Sequence, residues 1–357
     1  MTDSSTEEVL FEIVGKSGII TLNRPAGLNA LTLNMVRLMK PVLADWAVND
    51  AVENIIIEGA GEKGFCAGGD IRALHDWGKA GAPEATDFYR EEYQLNRSIK
   101  TYPKPYIALI DGITMGGGVG VSVHGSHRVA TERTMFAMPE TGIGLLPDVG
   151  GTYFLPRLPG ETGAWLVLTG ARLRGADSFA VGVATHYTAS HNINALKADL
   201  AAGSDVDAIL ATHHQQPEGA TLPEQQGDID RLFKADSVAE IIAALKADGS
   251  DWAHRQAAAI ATKSPTSVAV ALRQMREGIK ADFDECMRIE MRAVTRIMAQ
   301  PDFYEGVRAT ILEKATSSEQ VNAPNWTPQQ DIDAIFAPLG KVGGDAELRF
   351  DDEGMNQ

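Results

Sequence analysis

Hydrophobic and polar positions follow two different periods along the first half of the chain. Val9 to Val14 and Ile19 to Asn23 read as strands joined through Gly15-Lys16-Ser17-Gly18, where glycine at both ends supplies turn chemistry. From Leu31 to Trp46 the apolar residues Met35, Leu38, Met39, Val42, Leu43 and Trp46 recur at helical spacing, which predicts an amphipathic helix. Pro41 lies inside that run, so a kink or an end near Lys40 is expected. Asn54 to Glu58 is a short β-branched run, the mark of a buried strand, and Pro105 to Asp111 is a second strand. The latter leads into the glycine-rich turn ending Gly116-Gly117-Gly118, with an apolar helix predicted from about Val119. Strands alternating with helices predict an α/β layout.

The pattern changes near Ala195. Alanine-rich helical spacing dominates Ala195–Ala202, Val238–Ala247, Ala257–Ala261, Val268–Met275 and Asp284–Met298, while Gln215 to Gly227 reads as a loop or linker. The expected division is an α/β core over 1–190 and a mostly helical part over 191–357. The acidic tail, Asp351 to Gln357, is expected to be disordered.

Composition narrows the function classes. With 357 residues and 44% hydrophobic content the chain can bury a sizeable core. A net charge of −16 argues against broad nucleic-acid or anionic-membrane binding, although a few local cations and backbone N–H groups could still hold phosphates. Cys66 and Cys286 cannot build a disulfide framework or a metal knuckle, and the polar, acidic start from Met1 to Glu8 is unlike a secretory or transit segment. No apolar run reaches the roughly 20 residues that span a bilayer. These features lead to the expectation of a soluble, cytoplasmic protein.

Several motifs carry no chemistry. Ser122 has nucleophile-elbow spacing from Gly120, but His124 stands where the second glycine should be. Neither GxxxxGK[ST] nor GxGxxG is present. His213-His214 has no ligand-spaced partner, and His124 and His127 would share a helical face without a completing carboxylate, so no metal is expected.

Two glycine-rich segments each follow a strand: Gly64-Phe65-Cys66-Ala67-Gly68-Gly69-Asp70 and Gly112 to Gly118. Glycine there lets the backbone approach a ligand, and the helix start that follows offers unpaired N–H donors. Two such donors aimed at one oxygen would form an oxyanion hole; the plainer reading is a pair of tight turns. Beyond them, Met138 to Gly151 holds two acids, Glu140 and Asp148, among apolar and turn residues. Burial would raise their pKa values and suit acid/base work; the plainer reading is capping or a loop salt bridge.

Together these segments resemble the enoyl-CoA hydratase/isomerase (crotonase) superfamily. The likeness is carried by Leu22-Asn23-Arg24-Pro25, Asn29-Ala30-Leu31, Phe65 to Asp70, the triple glycine and Pro139-Glu140. Further stretches are similar to its thioester-hydrolase branch: Arg90-Glu91-Glu92-Tyr93, Gly112 to Gly120, Ser122-Val123-His124-Gly125, Phe136 to Glu140, Pro147 to Gly151, Tyr153 to Leu158, Ser264 to Ser267 and Glu305 to Ala309. The resemblance implies a ββα spiral core and hydrolysis of a short-chain acyl-CoA, 3-hydroxyisobutyryl-CoA first, in valine breakdown. It places the oxyanion hole at the N–H groups of Gly69 and Gly117 and the catalytic glutamate at Glu140. It makes Asp148 the second acid, orienting hydroxyl, water or leaving thiol, and Glu92 a substrate contact. Glu140 would either attack the thioester or activate water; both routes stay open. Coenzyme A would be part of the substrate, with no separate cofactor, and a homo-oligomer is possible.

Gly120 separates the branches. Typical hydratases of the superfamily carry a second glutamate there, and dienoyl-CoA isomerases carry an aspartate. Glycine cannot transfer a proton, so the resemblance favours hydrolysis over hydration or isomerisation, and a catalytically silent acyl-CoA-binding protein is the remaining alternative.

Overall fold

A computed structural model of the chain describes residues 7–203, 205–313, 322–340 and 346–350. The acidic tail expected to be disordered lies outside the described residues. The chain folds into two compact units, neither of them continuous in sequence. One comprises the described residues of Met1–Gly69, Leu95–Ala137 and Arg172–Gln226; the other comprises those of Asp70–Gln94, Met138–Ala171 and Gly227–Gln357. This differs from the division at residue 190 expected from composition, because segments far apart in sequence close around each unit's core.

The first unit holds two sheets. Strands β1 (Val9–Val14), β2 (Ser17–Leu22), β3 (Asn54–Gly59), β5 (Tyr106–Ile110), β7 (His127–Ala130) and β10 (His186–Tyr187) form one sheet in that order. Only the β1–β2 pair in it is antiparallel. Strands β4 (Gly64–Cys66), β6 (Ile113–Met115), β8 (Met135–Ala137) and β9 (Leu173–Arg174) form the second, with β4, β6 and β8 parallel. The chain thus visits the larger sheet and then the smaller one three times in succession, β3–β4, β5–β6 and β7–β8. That repetition is the ββα spiral implied by the resemblance. Ile19, Ile56, Ile107, Leu109 and Val129 on the large sheet pack against Leu196, Leu200, Val206 and Leu210, which belong to the helices Ile193–Ala202 and Val206–His213.

Local departures from the sequence reading have identifiable causes. The hairpin turn is only Gly15-Lys16, because Ser17 and Gly18 are drawn into β2 by pairing with both neighbours. Pro41 does not end its helix, which runs Leu33–Val48 from an N-cap at Thr32. Pro41 lies on the exposed face, and burial of Met35, Val36, Met39, Leu43 and Trp46 on the other outweighs one missing hydrogen bond. In place of the helix expected from Val119 there is a single helical turn, Gly117–Gly120, which begins within the triple glycine, since glycine propagates a helix poorly. Ser122 turns its hydroxyl back on the carbonyls of Gly118 and Val119, and His127 begins β7 instead of sharing a helical face with His124. Part of the expected linker is the helix Leu222–Leu232, whose entry is held by Asp177 accepting the N–H groups of Thr221 and Leu222. That capping residue is too far away in sequence to signal a helix start.

The second unit is built mainly of helices. Thr162–Thr169, Pro265–Gly278, Phe283–Ile297 and Pro301–Val307 surround the segment from Met138 to Phe154, and the helix Glu84–Lys100 supplies Tyr89, Glu92 and Tyr93 from its first part. No helix of the described residues is long and apolar enough to cross a membrane.

Candidate active site

Gly69, Gly117 and Glu140 each follow within a few residues the C-terminal end of one strand of the parallel trio β4, β6 and β8. Ends of parallel strands are where α/β folds place ligand-binding turns. In the first unit, Leu31 donates its N–H to the Gly68 carbonyl at 2.8 Å, and Leu31 and Gly69 form a bridge that fixes the first glycine turn. In the second turn, a Cβ on Gly118 would run into the Cys66 carbonyl, so only glycine lets the two turns close on each other. Gly117 opens its helical turn, where an N–H has no acceptor within the helix.

The carboxyl groups belong to the second unit. Glu140 opens the 3₁₀ turn Glu140–Ile143 and is 6% exposed; its Oε2 is buried without a hydrogen-bond partner among the described residues. Burial first, then the negative charge of Asp148, holds its carboxyl well above the usual range. Asp148 is 4% exposed and accepts a 2.9 Å hydrogen bond on Oδ2 from the Tyr93 hydroxyl. Burial pushes Asp148 up to about 7 even though that hydroxyl favours its ionised form. Glu92 is buried with Oε1 unpartnered among the described residues, and burial and Asp148 raise it well above the usual range.

The sequence reading missed a fourth acid. Glu290, fully buried on the helix Phe283–Ile297, accepts the Gly150 N–H on Oε2 and the Thr152 N–H on Oε1, both at 2.8 Å. Burial and Asp148 hold it at about 8 against those N–H groups and the Thr152 side chain. Gln274 was missed too; its Nε2 donates to the Pro147 carbonyl and to Thr152 Oγ1, each at 2.8 Å. The available signal for Glu290 was a charged residue on an otherwise apolar helix stripe, among Cys286, Met287, Met291, Ala293 and Val294. Tyr93 was inside a recognised motif, but nothing local marked it as the donor to Asp148.

The four carboxyls therefore share one charge balance, with Asp148 as its hub: its charge raises Glu92, Glu140 and Glu290. Such a cluster holds protons near neutrality and can release or take them up during a reaction. By contrast, the histidines set aside earlier have ordinary partners, His213 on Asp199 and His214 accepting the Tyr187 N–H. Among the described residues no group of three or more His, Cys, Asp or Glu is arranged to hold a metal ion.

A family model described as enoyl-CoA hydratase/isomerase matches residues 17–335. The chain is 51% identical to the mitochondrial 3-hydroxyisobutyryl-CoA hydrolase of Danio rerio, over 95% of this chain and 92% of that one. It is 46% identical to the mitochondrial enzyme of the same name from Homo sapiens, over 98% and 92%. A solved structure described as a carnitinyl-CoA dehydratase from Mycobacterium thermoresistibile superposes with a TM-score of 0.90 at 42% identity, covering 97% of this chain and 99% of that one. The curated relatives are mitochondrial enzymes, which overturns the expectation of a cytoplasmic protein: neither an acidic composition nor a count of two cysteines identifies a compartment. The matched family model and the relatives agree with the spiral topology and the motif positions: the chain belongs to the enoyl-CoA hydratase/isomerase (crotonase) superfamily.

Proposed function

We propose that this chain hydrolyses the thioester of 3-hydroxyisobutyryl-CoA, giving 3-hydroxyisobutyrate and free CoA. The observation that carries the reading is the Glu140 carboxyl, buried with one oxygen unpartnered among the described residues and raised by the charge of Asp148, in a chain 51% identical to a 3-hydroxyisobutyryl-CoA hydrolase. In this reading the thioester oxygen takes the N–H groups of Gly69 and Gly117, which stabilise the oxyanion as the carbonyl carbon is attacked. Glu140 either attacks that carbon, expelling the thiol to leave an anhydride that water then opens, or takes a proton from the attacking water. Both routes consume one water and send one proton to the thiolate. Asp148 orients the hydroxyl, the water or the departing thiol, and Glu92 contacts the substrate. Coenzyme A arrives and leaves as part of the reactants, so the chemistry requires no separate cofactor.

A second reading, hydration of an enoyl-CoA, is favoured by the likeness to a carnitinyl-CoA dehydratase and by the family model's description. Gly120 weakens it, because a two-acid addition of water needs a proton donor where this chain has none. A free-thiol assay with 3-hydroxyisobutyryl-CoA and an absorbance assay with crotonyl-CoA separate the readings. Release of thiol supports hydrolysis; loss of the conjugated thioester without thiol release supports hydration. Glu140→Gln is expected to lower kcat by orders of magnitude while acyl-CoA binding persists, and unchanged thiol release in that variant would remove Glu140 from the mechanism.

A further inference from the structure

Asp148 is held in an unusual stretch of backbone. Val149, the next residue, has φ of 54°, a left-handed conformation that is strained for a β-branched residue. Such a conformation persists only where its surroundings impose it. Here the imposing groups are side chains from two helices. Glu290 takes the N–H groups of Gly150 and Thr152, one on each carboxyl oxygen, in the manner of an N-cap supplied from another helix. Gln274 holds the Pro147 carbonyl on the other side of Asp148. The helix Pro265–Gly278 then ends against the same segment, because a Cβ on Gly278 would overlap the Thr152 carbonyl. A carboxyl buried on an apolar helix stripe is costly, and among the described residues Glu290 is met by these N–H groups and the Thr152 side chain and not by a cation.

We infer that Glu290 is a positioning residue, clamping the backbone on which Asp148 is mounted so that the Asp148 carboxyl stays where the reaction needs it. It does so through Gly150 and Thr152, without touching the reacting atoms. The inference builds on the hydrolase reading for its kinetic test but has a structural test of its own.

Glu290→Gln keeps the shape and replaces one acceptor with an amide that faces an N–H group. Expected are amide hydrogen exchange at Gly150 and Thr152 faster by at least about tenfold, kcat for thiol release lower by about tenfold or more, and KM within about threefold of the starting enzyme. The double variant with Asp148→Asn should be no slower than Asp148→Asn alone, because a residue acting only through Asp148 adds nothing once Asp148 is disabled. Additive losses, a KM effect with kcat unchanged, or unaltered exchange at Gly150 and Thr152 would each overturn the inference. Should Glu290→Gln fail to fold, Glu290→Asp, which keeps the charge but reaches only one N–H, should show the same kcat-selective loss at smaller size; full activity in it also overturns the clamp. If the unaltered protein releases no thiol, the hydrolase reading is what fails, and the clamp is judged on hydrogen exchange alone.

Discussion

Asp148 is pulled in opposite directions, by burial toward the neutral acid and by the Tyr93 hydroxyl toward the carboxylate. The balance leaves it near neutrality, about 7, where its proton is mobile under working conditions. Tyr93→Phe removes the side-chain donor that most favours the ion, so the Asp148 titration should move further up; a carboxyl carbon NMR titration would show it, and an unchanged or lower midpoint would contradict the assignment. Glu140 is a stronger base than an exposed glutamate because it is buried beside a negative charge, and for the same reason it holds its proton longer. If the ionised form works, kcat/KM should fall on acidification from a midpoint above the ordinary glutamate value of about 4.3, and a limb at that value would place the working acid elsewhere. Glu140 and Asp148 were legible in the sequence because each lies in a joined motif. Tyr93, Gln274 and Glu290 were not read as parts of the site, since Gln274 and Glu290 reach the Asp148 segment from more than a hundred residues away.

At the scale of elements, the candidate site depends on where strands stop and helices begin. The parallel pairing of β4, β6 and β8 within the first unit is what brings their C-terminal ends into one row, and the sequence showed two strand–turn units but not that their turns neighbour one another. Behind Glu140, Ser264 caps the helix Pro265–Gly278 by accepting the Ser267 N–H, donates its hydroxyl to Asp302 at 2.6 Å, and gives its own N–H to the Thr141 carbonyl. Ser264→Ala removes the cap and leaves Asp302 short of a donor, so a loss of about 1–3 kcal/mol is expected in denaturant unfolding. A change below about 0.5 kcal/mol would show that Asp302 is satisfied by its bonds from Thr327 alone. The Ser-Pro-Thr-Ser motif was visible in sequence; that it braces the turn beginning at Glu140 was not, because its partners lie in other elements.

For the whole molecule, a buried acid cluster ties stability to pH. Asp148 and Glu290 bind protons more tightly folded than unfolded, at about 7 and about 8. The folded state is therefore favoured below the ordinary carboxylate range, and that advantage is lost as pH rises through those values. Tm should fall between pH 5 and pH 8, and Asp148→Asn, which cannot ionise, should gain relative to the unaltered protein over the same interval. The gain is expected to reach about 3 kcal/mol at most, and a difference that stays flat with pH would refute the buried-charge account. Such a gain alongside lost activity is the usual exchange at a site that keeps costly groups for chemistry.

What the sequence determined by itself was whatever rests on local pattern: the strands β1, β2, β3 and β5, the helix that follows the first hairpin, the glycine turns, and Glu140, Asp148 and Glu92 as candidates within contiguous motifs. Only the tertiary structure decided how far Pro41's helix runs, that Asp177 starts a helix inside an expected linker, and that two units share the chain out of order. It alone decided that Tyr93, Gln274 and Glu290 surround the Asp148 segment. The reason is physical: periodicity and turn chemistry act between neighbours in the chain, whereas burial, charge coupling and capping act between neighbours in space.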